Sequence, residues 1–188
     1  MTQRPPAELM KAFLCCMIMF SSLARTAESN SPYSGQEQRE VKSLSARDIQ
    51  AYLEGSGMGY AKAAELNHYP GPKHVLELAE ELGLSEGQVA ETQRIFNSMK
   101  QQASDLGAQL VASESRLDRQ FADRTVSDPG LHALLIEIAR LEGEIRYTHL
   151  AAHLAQKQIL SESQVRHYDH LRGYGAGHNK HDHQHGSN

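Results

Sequence analysis

The sequence predicts an all-α protein built on a long antiparallel helical hairpin with short capping helices at each end. Three observations carry this. Apolar residues recur every seven positions over two long stretches, neither stretch is interrupted by an interior proline, and capping boxes stand at Ser85-Glu-Gly-Gln88 and Ser161-Glu-Ser-Gln164. The 188 residues, 39% hydrophobic with no Trp and four Phe, suit one modest domain with tails rather than two cores. The chain is poor in aromatics and rich in Ala, Leu, Glu and Gln, and such side chains lose little rotamer freedom in a helix. The formal charge of −4 provides no basic face for phosphate, so nucleic acid is not expected as a partner.

Residues 1–24 read as a secretory signal peptide. Arg4 and Lys11 form a positive start, "AFLCCMIMFSSLA" is a short apolar core, and Ser22-Leu23-Ala24 places cleavage after Ala24. A core of about 13 residues is short for a span that needs about 20, which makes an uncleaved membrane anchor the lesser alternative. Leu14 stands where a lipoprotein signal wants a small residue before Cys15. Cleavage removes Arg4, Glu8, Lys11 and both cysteines, leaving 17 basic and 22 acidic residues, a charge of −5. The expected product is a secreted domain held together by packing alone.

Residues 25–69 read as a flexible leader with a short helix. Residues 28–44 are polar and aperiodic, Ser45-Ala-Arg-Asp48 can cap a short helix, and Gly55-Ser-Gly-Met-Gly59 looks like a flexible joint. That glycine run lacks the Lys-Ser/Thr and the preceding strand of a phosphate-binding loop. The helical domain proper is expected over residues 70–174. Pro72 suits a first helical position and Gly83 the position just past an end, with Val75, Leu76, Leu78, Ala79 and Leu82 as the apolar face between.

The box at Ser85 opens a helix expected over about 86–124, with Val89, Phe96, Ala103, Leu110 and Leu117 as the seam and Met99 and Leu106 beside it. At 1.5 Å per residue it would be on the order of 55 Å long, and burying its seam takes a partner of similar length. That partner follows the turn "RTVSDPG", with Asp128 as cap and Pro129 as first helical residue. Leu131, Ile138, Ile145, Ala152 and Ile159 form its seam, flanked by Leu134, Leu141 and Ala155. The box at Ser161 then starts a short last helix carrying Val165, Tyr168 and Leu171.

Leu84-Ser-Glu-Gly-Gln88 and Leu160-Ser-Glu-Ser-Gln164 are one pattern repeated 76 residues apart, and the domain ends in "SQVRHYDHLRGY". Over residues 70–174 the chain resembles the Spy/CpxP family of periplasmic stress proteins, whose mark is a paired Leu-Ser/Thr-x-x-Gln motif. The resemblance implies an all-α homodimer shaped as a curved cradle. It also implies one of three roles: a heavy-metal-binding resistance or sensing protein, an ATP-independent chaperone for unfolded proteins, or the regulatory partner of a membrane stress sensor. Metal-binding relatives use histidines with Glu or Met on the long helices. His149 and His153 match that i, i+4 spacing, while a second such pair is missing because "YPGPK" separates His68 from His74.

One helical turn apart on the flank of the seam, His149 and His153 have two readings. They can chelate Zn²⁺, Cu²⁺ or Ni²⁺ with a third ligand from another helix, or they can be packed histidines bonded to a carboxylate across the hairpin. The tail, residues 175–188, carries His178, His181, His183 and His185 around Asp182, a looser metal site expected to be disordered without its ion, or a solubilising tail. A second stripe, Ile136, Gly143, Tyr147, Leu150 and Leu154, lies opposite the seam. It calls for the terminal helices, a dimer partner or an unfolded client.

Catalysis is not expected, and neither is an organic cofactor. His149-Leu-Ala-Ala-His153 lacks the Glu of a zinc protease, and Glu65-Leu-Asn-His68 is a single Glu-x-x-His where a di-iron site needs two.

Overall fold

The structure, a computed structural model, describes residues 31–174; the predicted signal peptide and histidine tail lie outside the described residues. Residues 31–35 fall in a unit of their own and form a turn in which the Ser34 N–H donates to the Ser31 carbonyl at 2.9 Å. From Gln36 onward the described chain is all-α, with six helices and no strand. They are α1 (Ala46–Leu53), α2 (Lys62–Glu65), α3 (Pro72–Glu77), α4 (Glu86–Ala122), α5 (Asp128–Ile159) and α6 (Glu162–Leu171). Among the described residues no helix is long and apolar enough to cross a membrane.

The helix starts follow local chemistry. Ser45, Ser85 and Ser161 each accept a hydrogen bond from the amide three residues on, and Asp48, Gln88 and Gln164 reach back to the cap amides. Pro72 opens α3 as expected, and Gly83 takes the left-handed conformation at φ +60° that ends the turn after it. The start of α5 differs by one residue. Ser127 is the N-cap and Asp128 is already helical, where its charge favours the exposed N–H groups of the first turn.

The two long helices lie side by side, and their paired residues run in opposite order. Gln88 donates to the Ile159 carbonyl at 3.0 Å, Gln156 to Thr92 at 3.0 Å, and Ser113 to Glu137 at 2.9 Å. Leu110, Leu134, Ile138, Leu141 and Ile145 pack into one cluster along the pair, joined by Tyr52 of α1. Ile95, Met99 and Ala152 form a second cluster, while Val75, Leu82, Leu160, Val165 and Tyr168 bind α3 and α6 into a third.

The buried face of α4 is Thr92, Ile95, Met99, Ala103, Gly107, Leu110 and Ser113. Ala103 and Leu110 fit the expected seam, but Val89, Phe96, Leu106 and Leu117 are only half-buried and Ile95 takes the inner place beside Phe96. Ala155 of α5 is exposed rather than packed. The shift has a physical cause. Thr92, Ser113, Thr148 and Gln156 are buried and each makes a hydrogen bond inside the helix pair, Gln156 through Nε2 alone, so the contact face includes residues that a purely apolar pattern passes over.

Residues 36–69 depart further from the expected flexible leader. Val41 is 2% exposed, Lys42 pairs with Asp118 at 3.0 Å, and Ser43 donates to Glu114 at 2.7 Å, so this segment docks on α4. α1 crosses α4 almost backbone to backbone at Gly107, where a Cβ would lie 2.2 Å from the Tyr52 carbonyl oxygen. The glycine run is a fitted loop rather than a free joint. Gly55 sits at φ +63°, and a Cβ there would meet the Lys100 carbonyl at 2.5 Å. Sequence pattern gave no hint of either docking, because each rests on an absent side chain.

Candidate metal-binding cavity

A cavity of about 430 Å³ opens where the glycine loop, the start of α3 and the long helices meet. His149 and His153 both line it, one turn apart on α5, together with Ser56, Gly71, His74 and Met99. Helix periodicity puts the two histidines on one face, and the docked loop then covers them: they are 3% and 9% exposed. That is deeper than the flank of a seam. The walls also carry Glu54, Lys73 and Lys100, so the net charge is mixed. Imidazole nitrogens, rather than overall charge, would therefore decide what binds.

The two rings are held differently. Nδ1 of His153 lies 2.7 Å from the Tyr69 carbonyl oxygen. A carbonyl only accepts, so Nδ1 carries the hydrogen and Nε2 is the nitrogen left to act as a ligand. The Glu65 carboxylate stands 3.7 Å from the same Nδ1. Outer partners of this kind fix the tautomer and orientation of metal-binding histidines. Gly71 lets the chain close over this ring, because a Cβ there would lie 3.0 Å from His153 Nε2.

His149 has Nε2 buried with no hydrogen-bond partner, and its ring stacks on Tyr60 with 6.1 Å between centroids. Burial, reinforced by the neighbouring His153, holds its pKa below the ordinary histidine value, against the pull of a hydrogen bond with the Ser56 backbone. The neutral form is the one that binds metals.

Glu65, which sequence reasoning did not select for this cavity, stands behind His153. Its Oε1 accepts from Tyr168 at 2.6 Å and Tyr174 at 2.9 Å, with Arg172 Nε at 3.5 Å, while Oε2 is buried without a partner. Burial and the Glu65 bond push the Tyr168 pKa well up, so this phenol stays a donor. These contacts join residues more than 100 positions apart, and no local motif announces them.

The other expected residues are placed as follows. His74 lines the same cavity but holds Glu77 at 2.7 Å, and the exposed His68 pairs with Asp169 at 2.8 Å. Among the described residues no cluster of three His, Cys, Asp or Glu side chains is close enough to hold a metal ion, so α2–α4 do not supply the expected third ligand ready-placed. His178, His181, His183 and His185 lie outside the described residues. On the opposite stripe, Ile136, Tyr147 and Leu154 are 57%, 66% and 54% exposed and Leu150 is half-buried. The short helices leave most of that stripe uncovered. No protein-family model, curated protein or solved structure matches this chain.

Proposed function

We propose that the protein is a periplasmic accessory protein of envelope stress or heavy-metal resistance that binds divalent ions through His149 and His153. The observation that carries this is the His149 imidazole, whose Nε2 is buried without a partner in the cavity that His153 also lines. An orphaned buried acceptor costs about 1–3 kcal/mol, and a bound ion would remove that cost. Two imidazoles with Met99 in the same wall suit borderline ions, Zn²⁺, Ni²⁺ or Cu²⁺, rather than Mg²⁺ or Ca²⁺, which prefer oxygen donors. No organic cofactor and no catalytic step belong to this reading. The long helices form an antiparallel hairpin in it, and two chains pair as a homodimer.

Calorimetric titration of the full chain with Zn²⁺ tests it. The expected result is a site that His149→Ala and His153→Ala together weaken, with the helical spectrum unchanged. Equal affinity in the doubly substituted protein would overturn it.

A second reading, an ATP-independent chaperone, is favoured by one observation. Ile136, Tyr147 and Leu154 stand exposed along one stripe of α5 beside half-buried Leu150. Suppression of client aggregation that Ile136→Asp and Leu154→Asp abolish would favour it over metal binding. Docking of the same stripe on a membrane sensor domain would instead appear as binding to that domain alone.

A further inference from the structure

Along the side of α5 turned away from the core, Ile136, Gly143 and Leu150 repeat at seven with Tyr147 and Leu154 between them. Gly143 stands at the middle of the helix, and a Cβ there would meet no neighbouring atom within 4 Å. Glycine in a helix interior is destabilising relative to alanine, and nothing within the described chain calls for it at this point. Residues 140–146, Arg-Leu-Glu-Gly-Glu-Ile-Arg, read as the same pattern in both directions about Gly143. Leu141 and Ile145 lie in the core, while Arg140, Glu142, Glu144 and Arg146 are exposed along the flanks of the apolar stripe. Among the described residues none of these four joins an ion pair, whereas Glu137 nearby is held by Arg116.

We infer that this face of α5 packs on the same face of a second copy of the chain, the two helices antiparallel about a two-fold axis beside Gly143. The inference rests on the homodimer in the reading above and names the surface that forms it. A two-fold interface must be complementary to itself. Reversal about Gly143 sets Ile136 level with the partner's Leu150. It leaves Arg140 two residues, about 3 Å along the axis, from the partner's Glu144 on one flank. Arg146 stands in the same relation to the partner's Glu142 on the other flank. The pair thus makes four contacts of opposite charge around an apolar stripe, with bare backbone at the axis where the helices approach. A uniformly acidic or basic partner would match only half of these charges.

Sedimentation equilibrium of the full chain and two charge variants tests this. Arg140→Glu with Arg146→Glu makes the face acidic, and Glu142→Arg with Glu144→Arg makes it basic. Each variant alone should need a concentration about a hundredfold higher to dimerise, because like charges then meet across the axis. Mixed in equal amounts, the two variants should pair as tightly as the native chain, a recovery that a folding defect would not give. In a Cys15→Ser, Cys16→Ser background, Ile136→Cys should cross-link to Leu150→Cys and not to itself. Cross-linking of Ile136→Cys to itself would overturn the antiparallel order. Variants that dimerise like the native chain, or that fail to recover on mixing, would overturn this face. The first of those outcomes moves the homodimer to another surface. A full chain that stays monomeric overturns the homodimer as well and leaves the stripe to an unfolded client.

Discussion

Gln88 and Gln164 exchange hydrogen bonds where α4 begins and α5 gives way to α6. Nε2 of Gln88 donates to Oε1 of Gln164 at 2.9 Å, and Nε2 of Gln164 donates back at 3.2 Å. The second hydrogen of each amide goes to a carbonyl across the junction, Gln88 to Ile159 at 3.0 Å and Gln164 to Leu82 at 3.3 Å. Each Oε1 also accepts its own cap amide, from Ser85 at 3.0 Å and Ser161 at 2.9 Å. The repeated Leu-Ser-x-x-Gln pattern thus caps two helices and locks them to each other.

Gln88→Ala and Gln164→Ala should each cost about 1–3 kcal/mol, because each strands the partner amide and a carbonyl. The double substitution should cost clearly less than the sum of the singles, since both remove one shared network. Additive losses in denaturant melts would show that the two boxes act separately.

Legibility in the sequence divides along the same lines. The boxes, Pro72 and Gly83 are local chemistry and could be read directly. The exchange between Gln88 and Gln164 could not, since it needs two residues 76 positions apart to meet. The seam was half legible. Apolar spacing found Ala103, Leu110, Ile138 and Ile145, and missed Thr92 and Gln156, which qualify for burial only by bonding each other. For the cavity, the histidine spacing put His149 and His153 on one face, and both line it. Its surroundings were invisible, because Gly55, Gly71 and Glu65 act through close approaches and distant contacts.

Side-chain truncation separates the observed seam from the heptad reading. Ile95→Ala should cost about 2–5 kcal/mol as a buried aliphatic deletion, and half-buried Phe96→Ala should cost less. A larger loss at Phe96 would restore the heptad assignment.

Gly107→Ala should loosen α1 from α4. Its methyl would lie 2.2 Å from the Tyr52 carbonyl oxygen, a clash with backbone that costs about 1–3 kcal/mol or more. Hydrogen exchange should quicken over residues 46–53 and stay slow in the middle of α5. Uniform exchange throughout would contradict this docking.

The metal-free protein should lose stability as pH falls below about 6.5, the ordinary histidine value. His149 is held neutral in the fold with its pKa below that value, so in this window the unfolded chain binds more protons and unfolding is favoured. Above it the contribution is constant. His149→Gln should flatten the slope of denaturant midpoint against pH between about pH 6.5 and the lowered folded value. An unchanged slope would place the acid sensitivity elsewhere.

The most direct test of metal binding in the cavity is nitrogen NMR of the imidazoles of His149 and His153 as Zn²⁺ is added. The predicted result is a coordination shift at Nε2 of both rings while His153 Nδ1 keeps its hydrogen, held by the Tyr69 carbonyl at 2.7 Å. Shifts confined to His178, His181, His183 and His185, with both cavity rings unmoved, would contradict it.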